Sequence, residues 1–75
     1  MFNQNIFRER MKNLRIERNL TLKEFGSIFG ISKQSASKWE AGINLPSISN
    51  LFDIAETFNV SIDYLLGLSD TPTRK

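Results

Sequence analysis

Hydrogen-bonding side chains between residues 33 and 38 are the part of this sequence best suited to chemistry with a partner molecule. They are Lys33, Gln34, Ser35, Ser37 and Lys38. Their amide, hydroxyl and ammonium groups can all donate hydrogen bonds, and no acidic residue interrupts the run before Glu40. A solvated helix face usually mixes Glu with Lys, so this run favours contact with a polar group outside the protein. The alternative is an ordinary solvent-exposed surface helix.

A pair of short helices is predicted to position this run. Thr21 and Glu24 match a capping box at the start of a helix over residues 21–29. Helical spacing predicts that its apolar stripe comprises Leu22, Phe25, Ile28 and Phe29. Gly30 can adopt the positive φ that ends this helix, and Ile31 can anchor the following turn in the core.

The second helix of the pair is predicted over residues 32–41. Ser32 is a suitable N-cap, and Gly42 can end the helix. Only Ala36 and Trp39 are suited to burial, so Trp39 is expected mainly in the core. A helix with one narrow buried seam and a broad donor face, preceded by a short helix and a sharp turn, forms a helix–turn–helix arrangement.

Composition excludes several classes of function. The chain of 75 residues is expected to form one small domain with one modest core. It contains no Cys and no His, which excludes disulfides, thiolate or imidazole zinc sites and the usual nucleophile–base pairs of enzymes. The acidic residues are scattered, and no apolar run approaches the ~20 residues of a membrane span. We therefore expect no cofactor, no metal, no membrane partner and no enzymatic activity. Because the N-terminus lacks a signal-peptide pattern, a cytoplasmic location is expected.

Charge is distributed unevenly along the chain. Residues 1–44 carry eight basic and four acidic side chains, which gives a net charge of +4. Residues 45–70 carry four acidic side chains and no basic one. A domain with this dipole would turn its N-terminal half towards a polyanion. Small domains can also have an uneven charge distribution by chance, so the asymmetry supports binding to a polyanion without deciding it.

Three further helices are predicted outside the pair. Phe7, Met11 and Leu14 give helical spacing to a first helix over residues 5–18. Ser47 can cap a fourth helix, whose predicted inner stripe is Ile48, Leu51, Ala55 and Phe58, with Ile54 flanking it. A short fifth helix is predicted over residues 62–66. The fold class is therefore all-α, a compact five-helix bundle over residues 1–68, with residues 69–75 as a flexible tail or the start of a linker.

Three segments of the sequence match one known family. They are SKWEAG at the end of the second helix of the pair, Pro46-Ser47 in the following loop, and NVSIDYLLG near the C-terminus. From about Phe7 to Gly67 the chain resembles the helix-turn-helix domains of lambda-repressor/Cro-type transcription regulators, the XRE family. The resemblance implies that residues 21–29 form a positioning helix and residues 32–41 a recognition helix that enters the major groove of DNA.

The resemblance also implies which side chains meet DNA bases. They are Lys33, Gln34 and Ser35 at the start of the recognition helix and Lys38 one turn later. Gln34 can pair in a bidentate manner with adenine, and Lys38 can donate to guanine, so these two are assigned as the main base readers. Lys33 could meet either a base or a phosphate. Expected phosphate contacts come from Thr21, Lys23, Ser32, Ser37 and Asn44, although Thr21 and Ser32 are also helix caps.

Three positions depart from the family's usual pattern. Leu22 stands where the family often has a phosphate-binding Gln, so either one phosphate contact is absent or Lys23 replaces it. Gly26 replaces the usual Ala where the two helices pack closely. Ala36 replaces a larger apolar residue, so either the recognition helix lies closer to the core or a neighbour such as Phe25 fills the space. The resemblance further implies an ion pair between Arg15 and Glu40, with solvent exposure of both as the alternative. The indole N–H of Trp39 could also reach a phosphate.

The expected function is sequence-specific binding of double-stranded DNA by a transcriptional regulator, in the manner of a repressor. Such a small head usually binds as a homodimer on a palindromic operator, with half-sites ~34 Å apart. Candidate self-contact residues are Phe52, Ile62, Tyr64 and Leu68, with burial in the core as the alternative; Tyr64 and Phe52 are the better candidates for an exposed contact. The alternative is a protein-interaction module, such as an antitoxin or antirepressor, in which DNA binding is secondary or lost.

Overall fold

Five helices and no strands make up the computed structural model, which describes residues 2–73. In chain order they are α1 (Gln4–Glu17), α2 (Leu22–Ile28), α3 (Lys33–Ala41), α4 (Ile48–Phe58) and α5 (Ile62–Leu66). The predicted all-α, five-helix architecture is therefore confirmed. Within residues 2–73, no helix is both long enough and apolar enough to cross a bilayer.

Every helix begins at a polar side chain that accepts a hydrogen bond from its first turn. The N-caps are Asn3, Thr21, Ser32, Ser47 and Ser61. Each side-chain oxygen satisfies a backbone N–H that has no partner within the helix. Since these caps are local signals, the helix starts fall within one or two residues of the predicted positions.

The core is centred on Phe25, which is fully buried. Its ring centroid lies 4.8 Å from that of Phe29, 6.3 Å from that of Trp39 and 6.2 Å from that of Phe58. These contacts hold α2, α3 and α4 around one aromatic cluster. Ala36 is also fully buried, so a small side chain allows α3 to lie close to this cluster.

The turn between α2 and α3 depends on the missing side chain of Gly26. A Cβ atom at this position would lie 2.7 Å from the carbonyl oxygen of Ile31 and 3.1 Å from that of Ser32. The backbone N–H of Ile31 donates to the Gly26 carbonyl at 2.9 Å, which fixes the two segments against each other. The start of α3 can therefore approach α2 more closely than an alanine would allow.

Two residues assigned to apolar stripes point away from the core. Ile48 is 86% exposed, although the predicted inner stripe of α4 included it. The buried stripe is rotated towards Ile54, which is fully buried, so Ile48 falls at the edge of the stripe in the first turn. Ile28 is 46% exposed because the buried side of α2 is formed by Phe25 and Gly26. The assignment of Ile48 to the inner stripe of α4 was therefore wrong.

The segment after α5 makes several hydrogen bonds to the helices. The guanidinium of Arg10 donates to the carbonyl oxygens of Tyr64 and Ser69, and to Asp70 Oδ1 at 3.0 Å. The Ser61 N–H donates to the Pro72 carbonyl at 3.1 Å. Residues 69–73, the part of the predicted tail that the structure describes, therefore run back along α5. Residues 74 and 75 lie outside the described range.

Candidate nucleic-acid interface

The outward side of α3 consists of four exposed polar residues, Lys33, Gln34, Ser37 and Lys38. The opposite side is anchored by Ala36 and Trp39, which are 0% and 6% exposed. Within the described part of the chain, the four outward side chains make no hydrogen bond or ion pair. Their donors are therefore available to an external partner, and Ser37 lies on the same side as Lys33 and Gln34.

Ser35 differs from these four because it is half-buried and tied to the helix cap. The hydroxyl of Ser32 donates to Ser35 Oγ at 3.1 Å and accepts the Ser35 backbone N–H at 3.0 Å. This mutual contact fixes the Ser35 hydroxyl at the N-terminal end of α3. It leaves the hydroxyl proton of Ser35 free to donate.

The C-terminal end of α3 is held by two arginines of α1. Arg15 and Glu40, expected to pair, form a two-pronged contact, with Nε–Oε2 at 2.6 Å and Nη2–Oε1 at 3.1 Å. The side chains are only 14% and 9% exposed, and Arg15 also donates to the Leu20 carbonyl at 2.8 Å. Arg8 lies against Gly42 and donates to the Glu40 carbonyl at 3.4 Å. These contacts fix the direction in which α3 points relative to α1.

The contribution of Arg8 was not recognised from the sequence. Arg8 lies seven residues before Arg15, so both fall on the same side of α1. This spacing is a signal that could have identified it. Its position near the last carbonyl groups of α3 also suits a cation, because the C-terminal end of a helix is electronegative.

The start of α2 presents free backbone donors beside α3. Thr21 Oγ1 accepts the Glu24 N–H at 3.1 Å, and Glu24 Oε1 accepts the Thr21 N–H at 2.9 Å, which completes the predicted capping box. The hydrogen bonds from Thr21 hold the pKa of the Glu24 carboxyl below its ordinary value of 4.5. The N–H groups of Leu22 and Lys23 have no partner in the described structure, as is usual for a first helical turn. They can meet an anionic oxygen there.

The remaining predicted site residues lie in two other places. Asn44 is exposed in the loop that follows α3, and its side chain is unbonded within residues 2–73. Among the candidate self-contact residues, Phe52 is 49% and Leu68 is 76% exposed. Ile62 and Tyr64 are only half-exposed and pack against the core, and the Arg10 guanidinium carbon lies 4.1 Å from the Tyr64 ring centroid.

The described residues offer no group of three or more His, Cys, Asp or Glu side chains that could hold a metal ion. The exposed side chains of α2 and α3 offer hydrogen bonding and charge attraction. Lys23, Lys33 and Lys38 supply free positive charge, and the amide of Gln34 supplies a paired donor and acceptor.

Comparisons with known proteins agree with this geometry. The helix-turn-helix family profile matches residues 11–65. The chain is 36% identical over 67 residues to the uncharacterised HTH-type transcriptional regulator YobD of Bacillus subtilis, covering 89% of this chain and 60% of that protein. It is 40% identical over 60 residues to the cryptic phage CTXphi transcriptional repressor RstR of Vibrio cholerae, covering 80% of this chain and 54% of that protein. The chain thus spans little more than half the length of these two relatives.

A solved structure resembles the arrangement of helices over most of this chain. The P22 c2 repressor protein, crystallised in complex with a synthetic operator, superposes with a TM-score of 0.75 at 28% identity. The superposition covers 81% of this chain and 92% of the repressor chain. Together with the profile match, this likeness identifies the chain as a member of the Cro/C1-type helix-turn-helix family of transcription regulators.

Proposed function

We propose that this domain binds double-stranded DNA sequence-specifically and thereby regulates transcription. The observation that carries the proposal is the unpartnered donor face of α3, Lys33, Gln34, Ser37 and Lys38, on a helix held firmly at both ends. A convex helix with free donors fits the major groove, where base edges present acceptors in a sequence-dependent pattern. Members of the family are DNA-binding regulators rather than enzymes.

Base readout is assigned mainly to Gln34 and Lys38. Gln34 offers both an amide donor and a carbonyl acceptor, which matches the N6 and N7 edge of adenine. Lys38 lies one helical turn further along the same side and can donate to guanine O6 and N7. Lys33 would contact a base or a phosphate, and the free hydroxyl proton of Ser35 would contact either without much discrimination.

Phosphate contacts would lie on both sides of α3. On one side are the hydroxyl of Thr21, the free N–H groups at the start of α2, and Lys23. On the other side is Asn44 in the loop after α3. Ser32 and Ser37 would add hydroxyl contacts near the helix itself. Such contacts set the register of the protein on the duplex without reading its sequence.

A homodimer on a palindromic operator is the proposed active form. A single head of this size covers too little DNA for high specificity, so two copies would read half-sites ~34 Å apart. Phe52 and Leu68 are the candidate self-contact residues that remain exposed. We propose repression as the regulatory outcome, since two of the compared proteins are named repressors. The proposed location is the cytoplasm, and no cofactor or metal is part of the proposal.

Selection of bound duplexes from a random pool tests this function directly. The expected product is a palindromic consensus whose half-site spacing is close to one helical turn. Fluorescence anisotropy should then find that affinity for a random duplex falls steeply as salt rises. A lack of binding to any duplex at low salt would overturn the proposal and favour the protein-interaction module.

A further inference from the structure

The segment from Ala41 to Phe52 is the longest in the chain without a charged side chain, at twelve residues. Despite this, it is well exposed. The exposed apolar side chains are Ile43 at 69%, Leu45 at 47%, Ile48 at 86% and Phe52 at 49%. Exposed apolar surface that is not interrupted by charge commonly marks a contact with another macromolecule.

An apolar cavity of about 290 Å³ opens beside this segment. Its lining is formed by Phe2, Phe7, Leu45, Pro46, Leu51 and Leu66. The described chain supplies no side chain that fills it. Leu45 belongs both to the cavity wall and to the exposed segment, so the two features form one continuous surface.

Ile48 is the first residue of α4 and lies in the chain between Pro46 and Leu51, which both line the cavity. Ser47 Oγ accepts the Asn50 N–H at 3.1 Å, which fixes the start of the helix and keeps Ile48 directed to solvent. The same surface therefore carries the exposed apolar side chain of Ile48, which packs into no pocket, and an apolar cavity that no side chain of the described chain fills. A second copy of the chain, turned by a twofold rotation, can supply what each feature lacks.

We propose that this surface is the twofold self-contact, in which Ile48 of each copy enters the apolar cavity of the other. The inference rests on the proposed function, since it locates the dimer contact of that DNA-binding form. Of the self-contact residues predicted from the sequence, the proposed contact keeps Phe52, and it adds Leu45 and Ile48. It therefore lies at the start of α4 rather than at α5.

The absence of charge favours a second copy over other occupants. In a twofold contact, residues near the axis meet their own copies, so any charged side chain there would face a like charge. Because residues 41–52 contain no charged side chain, a twofold contact through them is free of this repulsion. DNA is a poor occupant for the exposed apolar side chains of the segment, because they offer no donor to a phosphate and the acidic residues Asp53 and Glu56 follow them.

The location suits the spacing of two recognition helices. The segment begins where α3 ends, so a contact through it would set the separation of the two α3 helices. The domain measures 28 × 23 × 21 Å, and two domains side by side can span half-sites ~34 Å apart.

The test compares Ile48→Asp with Ile16→Asp. Asp is well tolerated in the first turn of a helix, so the first variant should fold. Ile16 is 51% exposed on α1 and lies outside both the segment and the cavity lining, which makes it a matched control. Circular dichroism confirms folding, and sedimentation equilibrium measures self-association. Ile48→Asp should weaken association by about tenfold or more, because a charge would enter an apolar cavity, whereas Ile16→Asp should match the wild type.

Binding to DNA separates this inference from the proposed function. The probes are the selected palindrome and a duplex carrying one half-site. Ile48→Asp should bind the half-site as the wild type does and lose at least about tenfold on the palindrome. Equal behaviour of Ile48→Asp and wild type in sedimentation and on the palindrome would overturn the inference and leave the function standing. A loss on the half-site would also overturn it, because Ile48 would then contact DNA. Failure of the wild type to bind either duplex would instead overturn the function.

Discussion

The arginines and the lysines of this domain occupy two regions with different roles. The arginines within residues 2–73 lie in or directly after α1, and each donates to a backbone carbonyl on another part of the fold: Arg8 to Glu40, Arg10 to Tyr64, Arg15 to Leu20 and Arg18 to Phe58. The side-chain ammonium groups of the lysines of α2 and α3, by contrast, make no hydrogen bond within the described range.

This difference follows from the chemistry of the two side chains. The planar guanidinium has five donors and can bind several acceptors at once, whereas the ammonium is a strongly hydrated point charge on a flexible stem. The arginines can therefore fix helix ends against α1. The lysines remain in solvent, where they can meet a polyanion. Substitutions in the first region should change stability, and substitutions in the second should change binding.

Loss of the Glu40 carboxylate should produce the largest effect on stability. Glu40→Ala leaves the Arg15 guanidinium without its charged partner in a site where that side chain is only 14% exposed. We expect the free energy of unfolding to fall by about 3 kcal/mol, as for other broken buried pairs. Urea denaturation measures this, with the exposed Glu17→Ala of α1 as the control, for which the change should stay within about 0.5 kcal/mol. Similar changes in the two variants would mean that the pair does not stabilise the fold.

Replacement of Gly26, at the contact between α2 and α3, should have the next largest effect on stability. Gly26→Ala raises helix propensity by up to ~1 kcal/mol. It also places a Cβ atom 2.7 Å from the Ile31 carbonyl oxygen, which belongs to backbone and cannot easily move aside. The clash should dominate and lower stability by about 1–2 kcal/mol.

The neighbouring Ser27→Ala provides a matched control for Gly26→Ala. Ser27 is exposed, and its hydroxyl donates only to the Lys23 carbonyl at 3.1 Å. Its replacement should leave the urea midpoint nearly unchanged. If Gly26→Ala were as stable as the wild type, the close approach of α3 would not depend on glycine.

The helix starts, the turn and the donor face could be predicted because they depend on neighbouring residues. Caps such as Ser32 and Ser47 act over three residues, and the outward position of Lys33 and Gln34 follows from helical periodicity. Periodicity did not determine the centre of the buried stripe, so Ile48 was placed in the core although it is 86% exposed. The contact from Arg8 to Glu40 joins residues 32 positions apart, so the residues around Glu40 do not predict it, and the only signal for it is the spacing of Arg8 and Arg15 on α1.

Gln34 should affect DNA binding without affecting stability. Gln34→Ala removes an exposed side chain with no partner in the described chain, so the unfolding midpoint should not move. Affinity for the selected palindrome should fall by about 1–3 kcal/mol and preference at one base position should relax. Fluorescence anisotropy with the palindrome and with a random duplex distinguishes the loss of a base contact from the loss of a backbone contact. An equal loss on both duplexes would mean that Gln34 contacts the backbone rather than a base.

Lys23 should behave as a phosphate contact and have a smaller effect. Lys23→Ala should weaken binding to all duplexes alike and reduce the slope of log affinity against log salt by about 0.9. Lys12→Ala is the matched control, since Lys12 is an equally free lysine on α1. The change in slope should be clearly smaller for Lys12. Equal slopes for the two variants would contradict the assignment of the start of α2 to the DNA backbone.

Acidification should produce the smallest effect, through the capping box of α2. The hydrogen bonds from Thr21 favour the charged form of Glu24 and keep its pKa below 4.5 in the folded protein. A lowered pKa stabilises the fold at pH values above the ordinary pKa, and this contribution is lost as the pH falls through the lowered value. Glu24→Gln keeps an oxygen that can accept the Thr21 N–H but carries no charge. Thermal unfolding from about pH 3 to about pH 6 should therefore find the wild type more stable than Glu24→Gln above pH 4.5, with the difference vanishing at the acidic end. A difference that stays constant over this range would mean that the Glu24 charge does not contribute to the cap.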